Sequence, residues 1–105
     1  MRIAVACDGL VVAPYFVQSR SYMIYFVELG RIVGSRNLPI FDKPIFKLVD
    51  FLKSLEIDVL IVGRIENDIA AMLRSSGVEL VTYAKDDPLV AVQEYLASVF
   101  SAVED

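Results

Sequence analysis

The apolar residues of this chain fall into short runs: "IAVAC" at 3–7, "VVAPYFV" at 11–17, "YMIYFV" at 22–27 and "VLIV" at 59–62. Each is far below the roughly 18 residues needed to span a bilayer, so each must be buried in protein. The chain is 56% hydrophobic with a mean hydropathy of +0.56, which excludes a solvated disordered chain and calls for elements covered on more than one face. At 105 residues it fits one hydrophobic core, and a single domain over residues 1–100 is expected, with 101–105 as a frayed tail.

The runs translate into elements. "RIAVAC" closed by Asp8-Gly9 reads as a first strand buried on both faces. "SYMIYFVE" and "RIVGSRNL" read as a hairpin turning at Leu29-Gly30. From Asp42 the spacing becomes helical: Ile45, Leu48, Val49, Leu52 and Leu55 share a stripe, Asp42 can cap, and Pro44 suits a first turn. "DVLIVG" is a fourth strand. "ENDIAAMLRSSG" is a second helix with Ile65, Ile69, Met72 and Leu73 on one face, acids in its first turn and Gly77 as a left-handed cap. "VELVTY" is a fifth strand, and Asp87-Pro88 opens a third helix with Leu89, Val92, Leu96 and Val99 inward. A short hairpin is antiparallel and strands joined through helices are parallel, so an α/β fold follows, with a five-stranded mixed sheet, its second strand antiparallel, and helices on both faces.

Composition removes several chemistries. There is no histidine, hence no imidazole base, Ser-His-Asp or Cys-His arrangement, or imidazole ligand. A net charge of -4 without a basic run disfavours nucleic acid. One cysteine forbids an internal disulfide. With no signal peptide or membrane span in view, the expectation is a cytoplasmic protein.

"MRIAVACDG", the aromatic "YF" pair, "SYMIYFVELGRI" and "IDVLIVGRIENDIAAMLRSSGVELVT" together resemble the dinitrogenase iron-molybdenum cofactor biosynthesis family, of the NifX and NifB C-terminal type. The likeness runs from Met1 to about Leu96. It implies a ribonuclease-H-like three-layer fold with sheet order 3-2-1-4-5, and a non-enzymatic role in binding or carrying iron-molybdenum cofactor or related metal-sulfur clusters. The partner implied is a cluster assembly or acceptor protein. Three departures stand out: where the family commonly has Ser-x-His-Phe-Gly, this chain has Ala13-Pro14-Tyr15-Phe16-Val17; a Gly-Gly-x-Gly turn is Gly63-Arg64-Ile65-Glu66; and the stretch before the first helix, "PIFDKPIF", lacks histidine.

Ligands of open α/β sheets sit outside the carboxyl ends of the parallel strands. That end gathers Cys7, Asp8 and Gly9, then Gly63 and Arg64 with the residues up to Asn67, then Tyr83 to Lys85, and the segment 10–17 projects from it. The candidate cofactor-binding residues are therefore Cys7, Asp8, Gly9, Tyr15, Phe16, Gly63 and Arg64. Cys7 is the candidate metal ligand, because a thiolate is the only soft anionic ligand available; otherwise it is a buried strand cysteine filling space. Tyr15 and Phe16 are expected to be exposed, whereas Tyr22, Ile24 and Phe26 on one face, and Met23, Tyr25 and Val27 on the other, are expected in the core. Two other functions fit the sequence: a protein-interaction module dimerising through residues 10–17, and a divalent-metal nuclease, which requires Asp8, Glu66 and Asp68 to converge.

Overall fold

A computed structural model of the chain describes residues 1–40 and 45–100, apart from the side chains of 45 and 46. Asp42 and Pro44 as helix starters, the inward face of Ile45, and the frayed tail 101–105 lie outside the described residues. The strands are β1 (Arg2–Asp8), β2 (Val11–Val12), β3 (Ser21–Glu28), β4 (Arg31–Pro39), β5 (Val59–Ile61) and β6 (Glu79–Val81); the helices are α1 (Ile45–Ser54), α2 (Asn67–Ser75) and α3 (Pro88–Phe100). They form one open, mixed sheet in which β4-β3-β1-β5-β6 are neighbours in that order, with β2 paired to β1 off this path. No helix among the described residues is long and apolar enough to cross a membrane.

The sheet has six strands where periodicity alone counts five. After Asp8 the chain turns at Gly9, whose φ of +66° favours a residue without a Cβ, and folds back with Cys7 opposite Val12 and Asp8 opposite Val11. Two residues are too few to show alternation in a sequence. The fourth and fifth expected strands are also shorter, three residues each, because β5 and β6 pair only through Val59–Glu79, Leu60–Leu80 and Ile61–Val81.

β1 explains the layering. It pairs antiparallel with β3 on one side and parallel with β5 on the other. Successive strand residues point to opposite faces, so Ala4 and Ala6 join Tyr22, Ile24, Leu60, Leu52 and Leu73 in a core under α1 and α2. Ile3, Val5 and Cys7 join Tyr25, Val27, Val59, Ile61, Val92 and Leu96 under α3. The expected split of β3 holds on both faces, Phe26 and Met23 packing at the edges of the two cores.

Three inward assignments fail. Met72 is 42% exposed, and Ala70 takes the buried place beside Ile69 and Leu73. Leu89 and Val99 of α3 are 39% and 40% exposed, since the sheet ends at β6 and offers them no surface.

The hairpin between β3 and β4 turns through Leu29 and Gly30, both at positive φ (52° and 77°). Such turns favour Asn-Gly, yet Leu29 stands fully exposed there, so its side chain contributes no burial against the strain. Leu29→Asn is expected to raise unfolding free energy by about 1 kcal/mol, read as a higher urea midpoint at unchanged slope.

Candidate functional site

At the carboxyl ends of β1 and β5 the sheet switches from antiparallel to parallel pairing, which in open α/β sheets opens a crevice. Here the chain itself crosses that crevice. The Val12 N–H donates to the Asp86 carbonyl at 2.9 Å, and the Ala13 N–H donates to the Ala6 carbonyl at 2.9 Å. The Arg64 N–H donates to the Pro14 carbonyl, and the Phe16 N–H to the Arg64 carbonyl, both at 2.8 Å. Tyr15 and Arg64 thus form a parallel bridge that extends the pairing beyond β5. Gly63 permits the approach: a Cβ at this position would lie 2.5 Å from the Ala13 carbonyl oxygen and 2.7 Å from that of Pro14. A side chain there is sterically excluded, so Gly63 serves the backbone crossing.

The crossing sorts the greasy stretch by direction. Val12, Ala13 and Phe16 are buried, whereas Leu10 is 92% exposed and Val11, Tyr15 and Val17 are about half exposed. The expectation that Phe16 is exposed is corrected: its ring lies against Tyr22, centroids 6.5 Å apart, because the 3-10 turn Phe16–Gln18 folds it under the α1 and α2 side. Tyr15 keeps its expected exposure. It borders a cleft of about 170 Å³ with Phe16, Val17, Arg64, Ile65 and Glu66. Val17, Ile65 and Glu66 were gathered at this end of the sheet by the sequence but not among the candidate cofactor-binding residues, since the bridge that joins their two segments is a tertiary contact.

Cys7 lies elsewhere. It is 2% exposed, its Sγ 3.4 Å from the Val5 carbonyl oxygen, in the core under α3. Burial pushes its thiol from 9.0 up to about 11, a backbone hydrogen bond from Met23 opposing the rise. At neutral pH it is a protonated thiol, not a thiolate at the rim. Asp8 is half buried and pairs with Arg20, Oδ1 to Nε at 3.5 Å, while Gly9 sits exposed at the β1–β2 turn. Cys7, Asp8 and Gly9 are consecutive, but none lines the Tyr15–Arg64 cleft.

The acids do not assemble. The Asp68 carboxylate accepts the Ile69 N–H at 2.9 Å, and Glu66 occupies the N-cap position of α2 without a side-chain capping bond. Asp58 accepts the Arg2 N–H at 2.7 Å, at the other end of β1. Among the described residues no three His, Cys, Asp or Glu side chains are placed to hold a metal ion. The convergence of Asp8, Glu66 and Asp68 that a two-metal nuclease needs is therefore not found there. Among the described residues Arg64 has no ion-pair partner, and it is exposed on the cleft wall together with Glu66.

No family profile matches this chain, and no curated protein matches it significantly. Solved structures do. The crystal structure of PH0822 superposes with a TM-score of 0.87 at 16% identity, over 93% of this chain and 90% of that one. A candidate dinitrogenase (MJ0327) of Methanococcus jannaschii gives 0.76 at 13% identity over 94% and 89%. The apo form of the orange protein of Desulfovibrio gigas gives 0.75 at 18% identity over 92% and 88%. The fold is shared across nearly the whole of each chain.

Two outcomes follow. Gly63→Ala is expected to cost about 1–3 kcal/mol, with the Arg64 and Phe16 amides losing hydrogen-exchange protection before the core strands. For Cys7 the folded pKa lies above the unfolded one, so the unfolded chain releases its proton first. Stability is then fully present below about pH 9 and falls as pH rises toward about 11. Denaturation of wild type and Cys7→Ala across that window checks it, the variant losing this part of the slope.

Proposed function

We propose that this protein is a small, non-enzymatic binding protein, a diverged relative of the iron-molybdenum cofactor biosynthesis proteins on a ribonuclease-H-like fold. Its cargo is an anionic metal-sulfur cluster, held without direct coordination at the Tyr15–Arg64 cleft and passed to an assembly or acceptor protein. The observation that carries this is the bridge: it holds an exposed arginine beside an aromatic ring at the sheet's switch point. The shared fold supports the same class of ligand, through neighbours described as a dinitrogenase and as the apo form of the orange protein.

The residues fit an intact anion better than a bare metal ion. Sulfide-rich clusters carry negative charge, which a guanidinium attracts. Glu66 on the cleft wall and Asp68 in the first turn of α2 oppose an anion, so Arg64 supplies the attraction against two acids. Coordination by Cys7 requires the thiol to leave the core and lose its proton, both disfavoured at neutral pH.

Anaerobic incubation with tetrathiomolybdate, then gel filtration with metal analysis and absorption spectra, tests this. Wild type is expected to retain the anion, less so at high salt; Arg64→Glu retains at least about tenfold less, and Cys7→Ala is unchanged. Loss in Cys7→Ala with retention in Arg64→Glu makes the thiol the ligand and ends the non-coordinated binding mode. No retention in wild type ends the cluster-carrier role.

The exposed apolar rim of Leu10, Val11, Tyr15 and Val17 favours a second function, a homodimer through residues 10–17. Sedimentation at rising concentration is expected to show dimer in wild type and monomer in Leu10→Lys. A wild-type monomer throughout removes the dimer.

A further inference from the structure

A second and larger concavity has no part in the cleft just described. Because the sheet stops at β6, a groove of about 680 Å³ remains between that strand and α3. Its floor is apolar, with Val81, Ala91 and Tyr95 against the α3 core and Val90 and Val99 open to solvent. Its rim carries four carboxylates, Glu79, Asp86, Asp87 and Glu94, against one lysine, Lys85. The acids lie toward both ends, Glu79 at the start of β6 and Asp86 and Asp87 beyond its finish. Tyr95 packs, partly buried, against the α3 core, and burial and the Glu79 carboxylate push its hydroxyl up to about 12.

Among the described residues no strand pairs with the outer side of the strand bordering the groove. The Glu79 N–H donates to the Asp58 carbonyl at 3.0 Å, and the Val81 carbonyl accepts from the Val62 N–H at 2.9 Å. Both residues turn their backbone groups toward β5. In a parallel pair the alternate residue turns its groups the other way, so the Leu80 N–H and C=O point out of the sheet. Beyond β6 stands Tyr83, 78% exposed and held at a φ of +64° by an N–H bond to the Gly63 carbonyl at 2.8 Å. An exposed tyrosine at an acidic rim suits a cation.

We propose that this groove takes an extended segment of a partner protein, which adds as a strand to the free edge of β6. The segment is apolar at alternate positions and carries lysine or arginine at both ends. Its main chain pairs with Leu80, and its apolar side chains lie over Val90, Tyr95 and Val99. Its basic ends meet Glu79 on one side and Asp86 and Asp87 on the other, where opposite charge sets register and suppresses acidic segments.

The probe is a capped seven-residue peptide with arginine at each end and valine alternating with threonine between them. Anisotropy titrations at low and physiological salt, with hydrogen exchange at Leu80, read the outcome. Expected are salt-weakened binding, protection of the Leu80 amide, and at least about tenfold weaker binding to Glu79→Lys/Glu94→Lys. The same peptide with glutamate ends is expected not to bind. Equal binding of the glutamate-ended peptide, no binding, or protection confined to another edge overturns the proposal. So does concentration-dependent self-association that shields Leu80 without peptide. Should the double variant fail to match the wild-type melting temperature, Glu79→Gln alone and the glutamate-ended peptide on wild type still decide.

Discussion

Everything in this protein is hung on β1, a seven-residue strand that is hydrogen-bonded along both edges and covered on both faces. The interior of such a strand has no solvent-facing side, so Ile3 to Cys7 must be small or apolar at every position. Ala4 and Ala6 are small because α1 and α2 bring large side chains to that face. Ile3 and Val5 are larger because α3 meets the other face with Val92 and Leu96. Even the start of β1 is tied down: the Arg2 guanidinium donates to the Leu55 carbonyl at 2.7 Å and lies 3.3 Å from the Glu56 carboxylate.

At the other end of β1 the chain covers its own crevice. Four backbone hydrogen bonds cross between β1, the 11–16 segment, Arg64 and Asp86. The cover fills the crevice over the ends of β1 and β5, and what opens beside it is the cleft bordered by Tyr15 and Arg64. Gly63 is the position on which this depends, because the carbonyls of Ala13 and Pro14 fill the volume a Cβ would take. The glycine kept from the turn after the fourth expected strand is therefore explained by backbone packing rather than by ligand contact.

Burial also settles which groups are chemically available. Cys7 and Tyr22 are both raised by desolvation; the Tyr22 ring lies between those of Phe16 and Phe51, and among the described residues its hydroxyl has no hydrogen-bond partner. These two most polarisable interior groups are neutral across the physiological range. The charges able to act are at the surface: Arg64 at the cleft, and the carboxylates around the β6–α3 groove.

The sequence by itself determined the elements and their faces. The apolar run 2–7, the alternation in 21–28, the Leu29-Gly30 turn, the stripe through Leu48 and Leu52, and Asp87-Pro88 are local signals, and each acts within a few residues of where it is written. Asp87 does bond the Leu89 N–H at 2.9 Å, and Gly77 does sit at a φ of +93°. What the sequence left open was every question of which segment lies against which. Phe16 and Tyr15 are neighbours of similar character, and only the bridge to Arg64 turns one inward and the other out. Cys7 is at the strand end that a ligand would approach, and only the packing of α3 puts its sulfur out of reach. Met72, Leu89 and Val99 match an inward stripe, and only the width of the sheet leaves them in water. Local periodicity fixes which face a residue joins, but exposure depends on whether another element arrives to cover that face, and this is a property of the assembled fold.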